Sequence, residues 1–371
     1  MTNVYVINPH SLDIVGIIDN YESIIWRPSY SNIGDFEIYI AATSHSISLL
    51  QKNYYVVRDV DISESGTVYK NVMIIKNIKL NTDVENGDYL TVTGYELKSI
   101  LNQRIVWSQF DKTNMHVDLF LHELVAVEAC EPVNEARKIP RLSLDDLELF
   151  PEKIQKQITY DKLGQAVIDV CNTYNLGWEI YIDKAASNYE WFDGLLLFRV
   201  YKGVDRSYNQ TERPYVVFSD DFENLYNTEY QLNTESYANV TLIGGEGEGF
   251  ERVMATVGEA GGLERYEVFT DAKDINSSIE NDEGETESLD YDNYVKLLQE
   301  KGKENLAALG YTESFTGEII SDITFKYKQD FYLGDIVTVI NKYGISQNIR
   351  VTSAIESEDK DGTKLVPQFN I

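Results

Sequence analysis

The chain has 371 residues, 43% of them hydrophobic, with 61 acidic against 32 basic side chains and a formal net charge of −29. That length exceeds one small core and suggests two or three domains, and the acidity argues against stable wrapping of nucleic acid, which needs clustered Lys and Arg. Cys130 and Cys171 belong to no CxxC pair, which excludes that zinc signature and a disulfide framework.

The 26 Tyr and 14 Phe favour strands. Over roughly the first hundred residues, short strands are predicted at Tyr5–Ile7, Ile14–Ile18, Ser23–Trp26, Phe36–Ile40, Tyr54–Arg58, Asn71–Ile78 and Tyr89–Thr93. Asn-Pro, Gly-Asp and Asn-Gly-Asp turns separate them, the spacing of a barrel or sandwich. Gly94–Leu101 reads as a short helix, and a longer one is predicted over Val117–Val127, with His122 beside its apolar stripe. From Tyr160 to Tyr174, Leu163, Val167, Val170, Cys171 and Tyr174 form a stripe, Thr159 is placed to cap it, and Gly177 to stop it in a left-handed conformation. This mixed region is expected to form a module separate from the first barrel.

Strands resume at Leu195–Tyr201, Tyr215–Phe218 and Val240–Ile243, the last running into Gly244-Gly-Glu-Gly-Glu-Gly249. An acidic stretch from Asp271 to Asp292 precedes a helix marked by Tyr294, Leu297, Leu298, Leu306 and Leu309 and ended by Gly310. Strands at Gly317–Tyr327, Ile336–Asn341 and Gln347–Ile355 close the chain, with Leu333-Gly-Asp335 turning before the middle one. The N-terminus lacks a signal-peptide pattern and no run reaches the length of a membrane span, so the chain is expected to be soluble.

Little of this carries chemistry. The Gly244–Gly249 run lacks the Gly-Lys-Ser/Thr of a phosphate loop, and Glu246 and Glu248 would repel phosphate. His10, His45, His116 and His122 have no zinc-ligand spacing, and no G-x-S-x-G elbow is present. The adjacent acids Asp145-Asp146 and Asp220-Asp221 would point to opposite faces of a strand, unlike the opposed carboxylates of a glycosidase. The Asp271–Asp292 run lacks the calcium-loop spacing and reads as a solvated loop. Asp205-Arg206-Ser207, in the loop after Tyr201, resembles catalytic residue types without partners. An Arg in so acidic a chain pairs with a carboxylate, from Asp205, Glu212 or a neighbouring chain, and such pairing fixes a loop without catalysis.

Five blocks in fixed order carry a family likeness. They are Ile17–Ile38, with Gly34-Asp-Phe36 after Arg27; Val92–Ile105; Gly203–Gln210 with Val217–Ser219; Asn239–Gly249 followed by Gly262–Ile275; and Tyr332–Val337 with Pro367–Phe369. Together they resemble the tail hub, or baseplate hub, proteins of long-tailed phages and prophages of Gram-positive bacteria. The resemblance implies a mainly β fold with α+β insertions: two tube-forming β-barrel domains plus helix-containing peripheral domains. The expected division is 1–106 as the first barrel, 107–194 as a mixed domain, 195–250 with 313–371 as the second barrel, and 251–312 as an acidic insertion.

The resemblance further implies a non-enzymatic homotrimer at the tail tip, assembled in the host cytoplasm, that joins the sixfold tail tube to a threefold tip. Its partners would be the distal tail or tube ring protein and a tail fibre or receptor-binding or lytic tip protein. DNA would pass transiently through an acidic channel without specific binding, although acidity alone serves solubility equally well. No cofactor or metal is expected. Asp205, Arg206, Arg213, Gly334 and Asp335 are the structural and interface candidates, Arg206 locking the hairpin loop of the second barrel. A tail-associated cell-wall hydrolase and a host-glycan-binding module are the alternatives.

Overall fold

Alternation of apolar and polar residues dictates the dominant element, a large sheet. In Ser23–Arg27 and Asp35–Ala41 every second side chain is buried, placing Ile24, Trp26, Phe36, Ile38 and Ile40 inside. The computed structural model describes residues 1–85, 87–187, 194–280, 286–319 and 324–370. Its largest sheet has 13 strands, numbered here along the chain. The first seven are β1 Val4–Ile7, β2 Ile14–Ile18, β3 Ser23–Arg27, β4 Asp35–Ala41, β5 Tyr55–Arg58, β6 Met73–Asn81 and β7 Tyr89–Glu96. The rest are β8 Val217–Ser219, β9 Leu225–Asn233, β10 Thr312–Ile319, β11 Ile336–Ile340, β12 Ser346–Asp359 and β13 Gly362–Asn370.

The order is β9-β10-β13-β12-β3-β4-β7-β6-β5-β1-β2, with β11 on β12 and β8 parallel on β11. The protein is therefore mainly β, and one sheet runs from the first strands to the last. Among the described residues no sheet closes on itself. The long β12 makes this continuity possible: its first half pairs with β11, and Glu356–Asp359 pairs with β3.

A second sheet orders Leu142–Leu144, Leu195–Tyr201, Gly177–Asp183 and Val68–Tyr69. It packs with helices α2 (Val117–Val125) and α3 (Leu163–Tyr174) around Trp178 and Phe198, and this core also takes in Ile7, Val57 and Ile74 of the large sheet. A fourth helix, α4 (Tyr291–Ala308), covers the three-stranded sheet of Val240–Gly244, Met254–Val257 and Glu267–Asp271. The small helix α1 (Ser44–Leu49) is held by a reciprocal capping box between Thr43 and Ser46.

Several predicted boundaries change. Tyr160 has φ 62°, which a helix does not admit, so α3 starts at Leu163 without a side-chain cap from Thr159. It stops at Asn175, whose φ of 54° is the left-handed conformation that Asn tolerates, and Gly177 begins a strand instead. Helix α2 continues as a π turn over Ala126–Cys130. The strand predicted over Gly317–Tyr327 is β10, Thr312–Ile319; residues 320–323 lie outside the described residues. The predicted central hairpin is absent. Leu195–Tyr201 and β8 lie in different sheets, and the loop between them crosses from one to the other. Asp220 and Asp221 open a 3₁₀ turn, so the strand argument about their faces does not apply.

Candidate functional site: the joint around Asp335 and Tyr30

The crossing loop meets the turn before β11. Asp205 forms a parallel bridge with Ile336, and the Arg206 N–H donates to the Ile336 carbonyl at 2.8 Å. The Asp335 side chain is only 4% exposed, so its carboxylate needs compensation there. It receives Val204 N–H at 2.9 Å on Oδ1, and Tyr332 N–H at 3.0 Å and Arg206 Nε at 2.8 Å on Oδ2. Arg206 and Asp335 thus form a half-buried, charge-assisted joint across 129 residues. Asp205 instead accepts the Ser207 N–H at 2.8 Å, an Asx turn shaping the loop. Arg213 is exposed; its backbone bonds Gln210, and among the described residues its side chain makes no ion pair.

Gly334 has φ 90°, and a Cβ there would lie 2.2 Å from the Tyr30 ring. This turn therefore needs glycine for both conformation and space. A Cβ on Gly203 would lie 1.9 Å from the Gly334 carbonyl oxygen, so the two backbones touch. Structure thus brings together Arg206, Gly334 and Asp335, with Asp205 one residue away, and leaves Arg213 outside.

Tyr30, which the sequence does not single out, is the centre of this joint. It is 1% exposed, accepts Gly203 N–H at 3.1 Å and donates to the Asn175 carbonyl at 3.1 Å. Tyr201 meets its ring edge-on at 5.4 Å, and the Arg350 guanidinium sits 5.5 Å over it. Burial raises the Tyr30 phenol pKa, keeping the hydroxyl a donor. One side chain from the β3–β4 connection therefore ties the first strands, the α3 end, the crossing loop and the β11 turn.

Two charge clusters flank it. Arg58, 4% exposed, pairs with Asp61 at 2.8 Å and Glu356 at 2.6 Å, and Lys328 bridges the same two carboxylates. Burial pushes the Asp61 pKa up, but Arg58 and Lys328 outweigh it and hold the carboxyl below its usual range. Glu96 and Lys98, both buried, pair at 3.1 Å; burial still raises Glu96 above the ordinary carboxylate value. An open cleft of about 510 Å³ beside the joint is lined by Lys70, Glu179, Arg199, Tyr201, Arg206 and Asp335. Its cations are committed: Arg199 and Lys70 to Glu179, Arg206 to Asp335.

Other residues weighed for chemistry are used structurally. His122 is 3% exposed, its Nδ1 2.8 Å from the Asp118 carbonyl oxygen. Asp145 accepts the Tyr181 hydroxyl at 2.7 Å. No group of three or more His, Cys, Asp and Glu among the described residues is arranged to hold a metal ion, and no described helix is long and apolar enough to cross a membrane.

Comparison with solved structures gives the fold a context. The tail protein from Neisseria meningitidis MC58 is 15% identical with a TM-score of 0.58, covering 100% of this chain and 96% of that chain. The 43 kDa tail protein of prophage MuSo2 from Shewanella oneidensis is 11% identical with a TM-score of 0.58, covering 99% of this chain and 98% of that one. Prophage tail protein gp18 from Listeria monocytogenes EGD-e is 11% identical with a TM-score of 0.50, covering 99% and 94%. No curated protein matches the chain. The chain shares its fold with these tail proteins, and the model of the siphovirus ReqiPepy6 Gp37-like proteins matches residues 3–369, so the chain belongs to that family.

Proposed function

We propose that this protein is a structural hub of the tail tip, a homotrimer joining the sixfold tail tube to a threefold tip. One observation carries the reading. The strands β3-β4-β7-β6 and β9-β10-β13-β12 follow the same spatial order, each laying its first, second, fourth and third strand side by side. The chain thus holds one four-stranded unit twice, and three chains would supply six such units, the number a sixfold tube presents. Closing such a ring also removes exposed sheet edges that would otherwise recruit other chains.

On this reading Arg206, Asp335 and Tyr30 are internal joints that fix one unit against the other. The domain division of 1–106, 107–194, 195–250 with 313–371, and 251–312 belongs to the same proposal. Because Leu195–Tyr201 and Val240–Gly244 lie in other sheets, we narrow the second tube unit to β8–β13. The net charge of −29 suits a channel wall that lets DNA pass without binding it. A tube ring protein would dock on one rim and a fibre or lytic tip protein on the other. Neither enzymatic nor glycan-binding readings draw on a specific site here. Native mass spectrometry and negative-stain imaging test the hub: a trimeric mass and a threefold ring with a pore are expected, and a monomer at all concentrations refutes it.

A further inference from the structure

The repeat fixes residue equivalences, because both units pair their strands in the same pattern of registers. Phe36 pairs with Gly94 and with Trp26 in the first unit; Phe315 pairs with Phe369 and with Tyr230 in the second. Trp26 therefore corresponds to Tyr230, and the ring pairs agree: Trp26–Phe36 at 5.2 Å and Tyr230–Phe315 at 6.0 Å, both tilted. The hairpin strands agree too. A register irregularity falls between Ile75 and Asn77 in one and between Val351 and Ser353 in the other. Beyond it, Leu80 faces Leu90 as Glu356 faces Leu365, so Leu80 corresponds to Glu356.

Within the chain the two units join where the third strand of the second, β12, meets the first strand of the first, β3. That pairing is antiparallel, with Glu356 opposite Trp26 and Ser357 opposite Ile25. Among the described residues the mirror junction, β6 against β9, is not made inside the chain: past Ile75 the described ladder of β6 is with β7, and that of β9 is with β10. Both edges are open to solvent, with Leu80 51% and Leu232 54% exposed. Their charges are complementary. Lys76–Asn81 carries Lys76 and Lys79 and no acid, while Leu225–Asn233 carries Glu229 and no base.

We propose that β6 of one copy pairs antiparallel with β9 of a second copy, placing Leu80 opposite Tyr230 and Asn81 opposite Glu229. The proposal rests on the hub reading and names its interface. The contact is head-to-tail, since the two edges lie at opposite ends of the eight-strand run β9-β10-β13-β12-β3-β4-β7-β6, and such a contact closes into a ring when the rotation between copies returns to its start. Three copies repeat the internal joint three times between chains.

Paired cysteines test the register. Adjacent cross-strand pairs alternate between close and wide spacing, so the double variants Leu80→Cys/Tyr230→Cys and Asn81→Cys/Glu229→Cys sample both. The second pair replaces only exposed residues, and the native Cys130 and Cys171 are buried. After oxidation with glutathione disulfide, one of the two is expected to run as a covalent trimer on a denaturing gel, while a slipped control, Ile78→Cys/Tyr230→Cys, stays monomeric. A protein that is trimeric by native mass yet cross-links through neither pair, or equally through the slipped one, overturns this interface and leaves the hub standing. A chain that stays monomeric overturns both.

Discussion

Replacing Arg206 by Ala removes one of three donors to a carboxylate that is 4% exposed. A hydrogen bond to a charged group contributes ~1.5–3 kcal/mol, and stripping one partner from a fully buried ion pair costs ~3–5 kcal/mol. The lower range applies here. The Arg206 side chain is 18% exposed, and Asp335 keeps the Val204 and Tyr332 amides, so the loss should be about 2 kcal/mol. Asp335→Ala should cost more, about 4 kcal/mol, because it strands two amides and a guanidinium together. Arg213→Ala should stay within about 0.5 kcal/mol, as for a surface residue without a fixed partner. Urea denaturation, with midpoints converted through the measured slope, gives the order Asp335→Ala, then Arg206→Ala, then Arg213→Ala. Equal midpoints for Arg206→Ala and Arg213→Ala would refute the joint as an energetic element.

Further outcomes follow from neighbouring residues. Gly334→Ala should lose about 3 kcal/mol, since the left-handed φ and the Tyr30 clash act together, and thermal melts should report it. Tyr30→Phe leaves the half-buried Gly203 N–H without its acceptor and should cost about 1 kcal/mol in urea denaturation while near-ultraviolet circular dichroism keeps its shape. Asp61 has a depressed folded pKa, so its contribution is present above the unfolded value and is lost as pH falls through the folded one. Asp61→Asn should therefore be less stable at pH 7, with the difference from wild type shrinking below about pH 4. His122, a buried base, has the same sign through a different cause. Burial lowers its pKa, the unfolded chain binds the proton more readily, and stability falls as pH drops below about 6.5; His122→Leu should flatten that limb in melts across pH 5–7.

Local chemistry made the strands legible. Alternation located β3 and β4 to within a residue or two, and turn residues separated them. The end of α3 was less so, because Asn175 and Gly177 both suit a left-handed stop and only the packing against Tyr30 selects Asn175. The partner of Arg206 lay beyond reach for another reason. Asp205 and Glu212 were local choices, whereas Asp335 comes close only after β11 is docked. The repeat stayed hidden because its equivalent residues share size more than identity, Trp26 with Tyr230 and Leu80 with Glu356. The second unit also accepts a long insertion between β9 and β10 that breaks the sequence period.

The β12–β3 junction and the proposed β6–β9 junction between copies differ in chemistry. At the β12–β3 joint, Glu356 joins a cluster of two cations and two carboxylates in which Arg58 and Asp61 are buried and Glu356 and Lys328 half-buried, with Arg58 also 5.2 Å over Trp26. Buried charges of this kind tolerate little rearrangement, since any unpaired member is costly, and they specify one register between units that never separate. At the corresponding edge, Leu80 replaces Glu356 and Tyr230 replaces Trp26. An apolar residue flanked by exposed Lys and Glu can wait in solvent without an uncompensated buried charge. It then gains burial and modest charge attraction when a neighbour arrives. On the proposed ring, the ionic version suits the joint inside one chain and the apolar version the joint between copies.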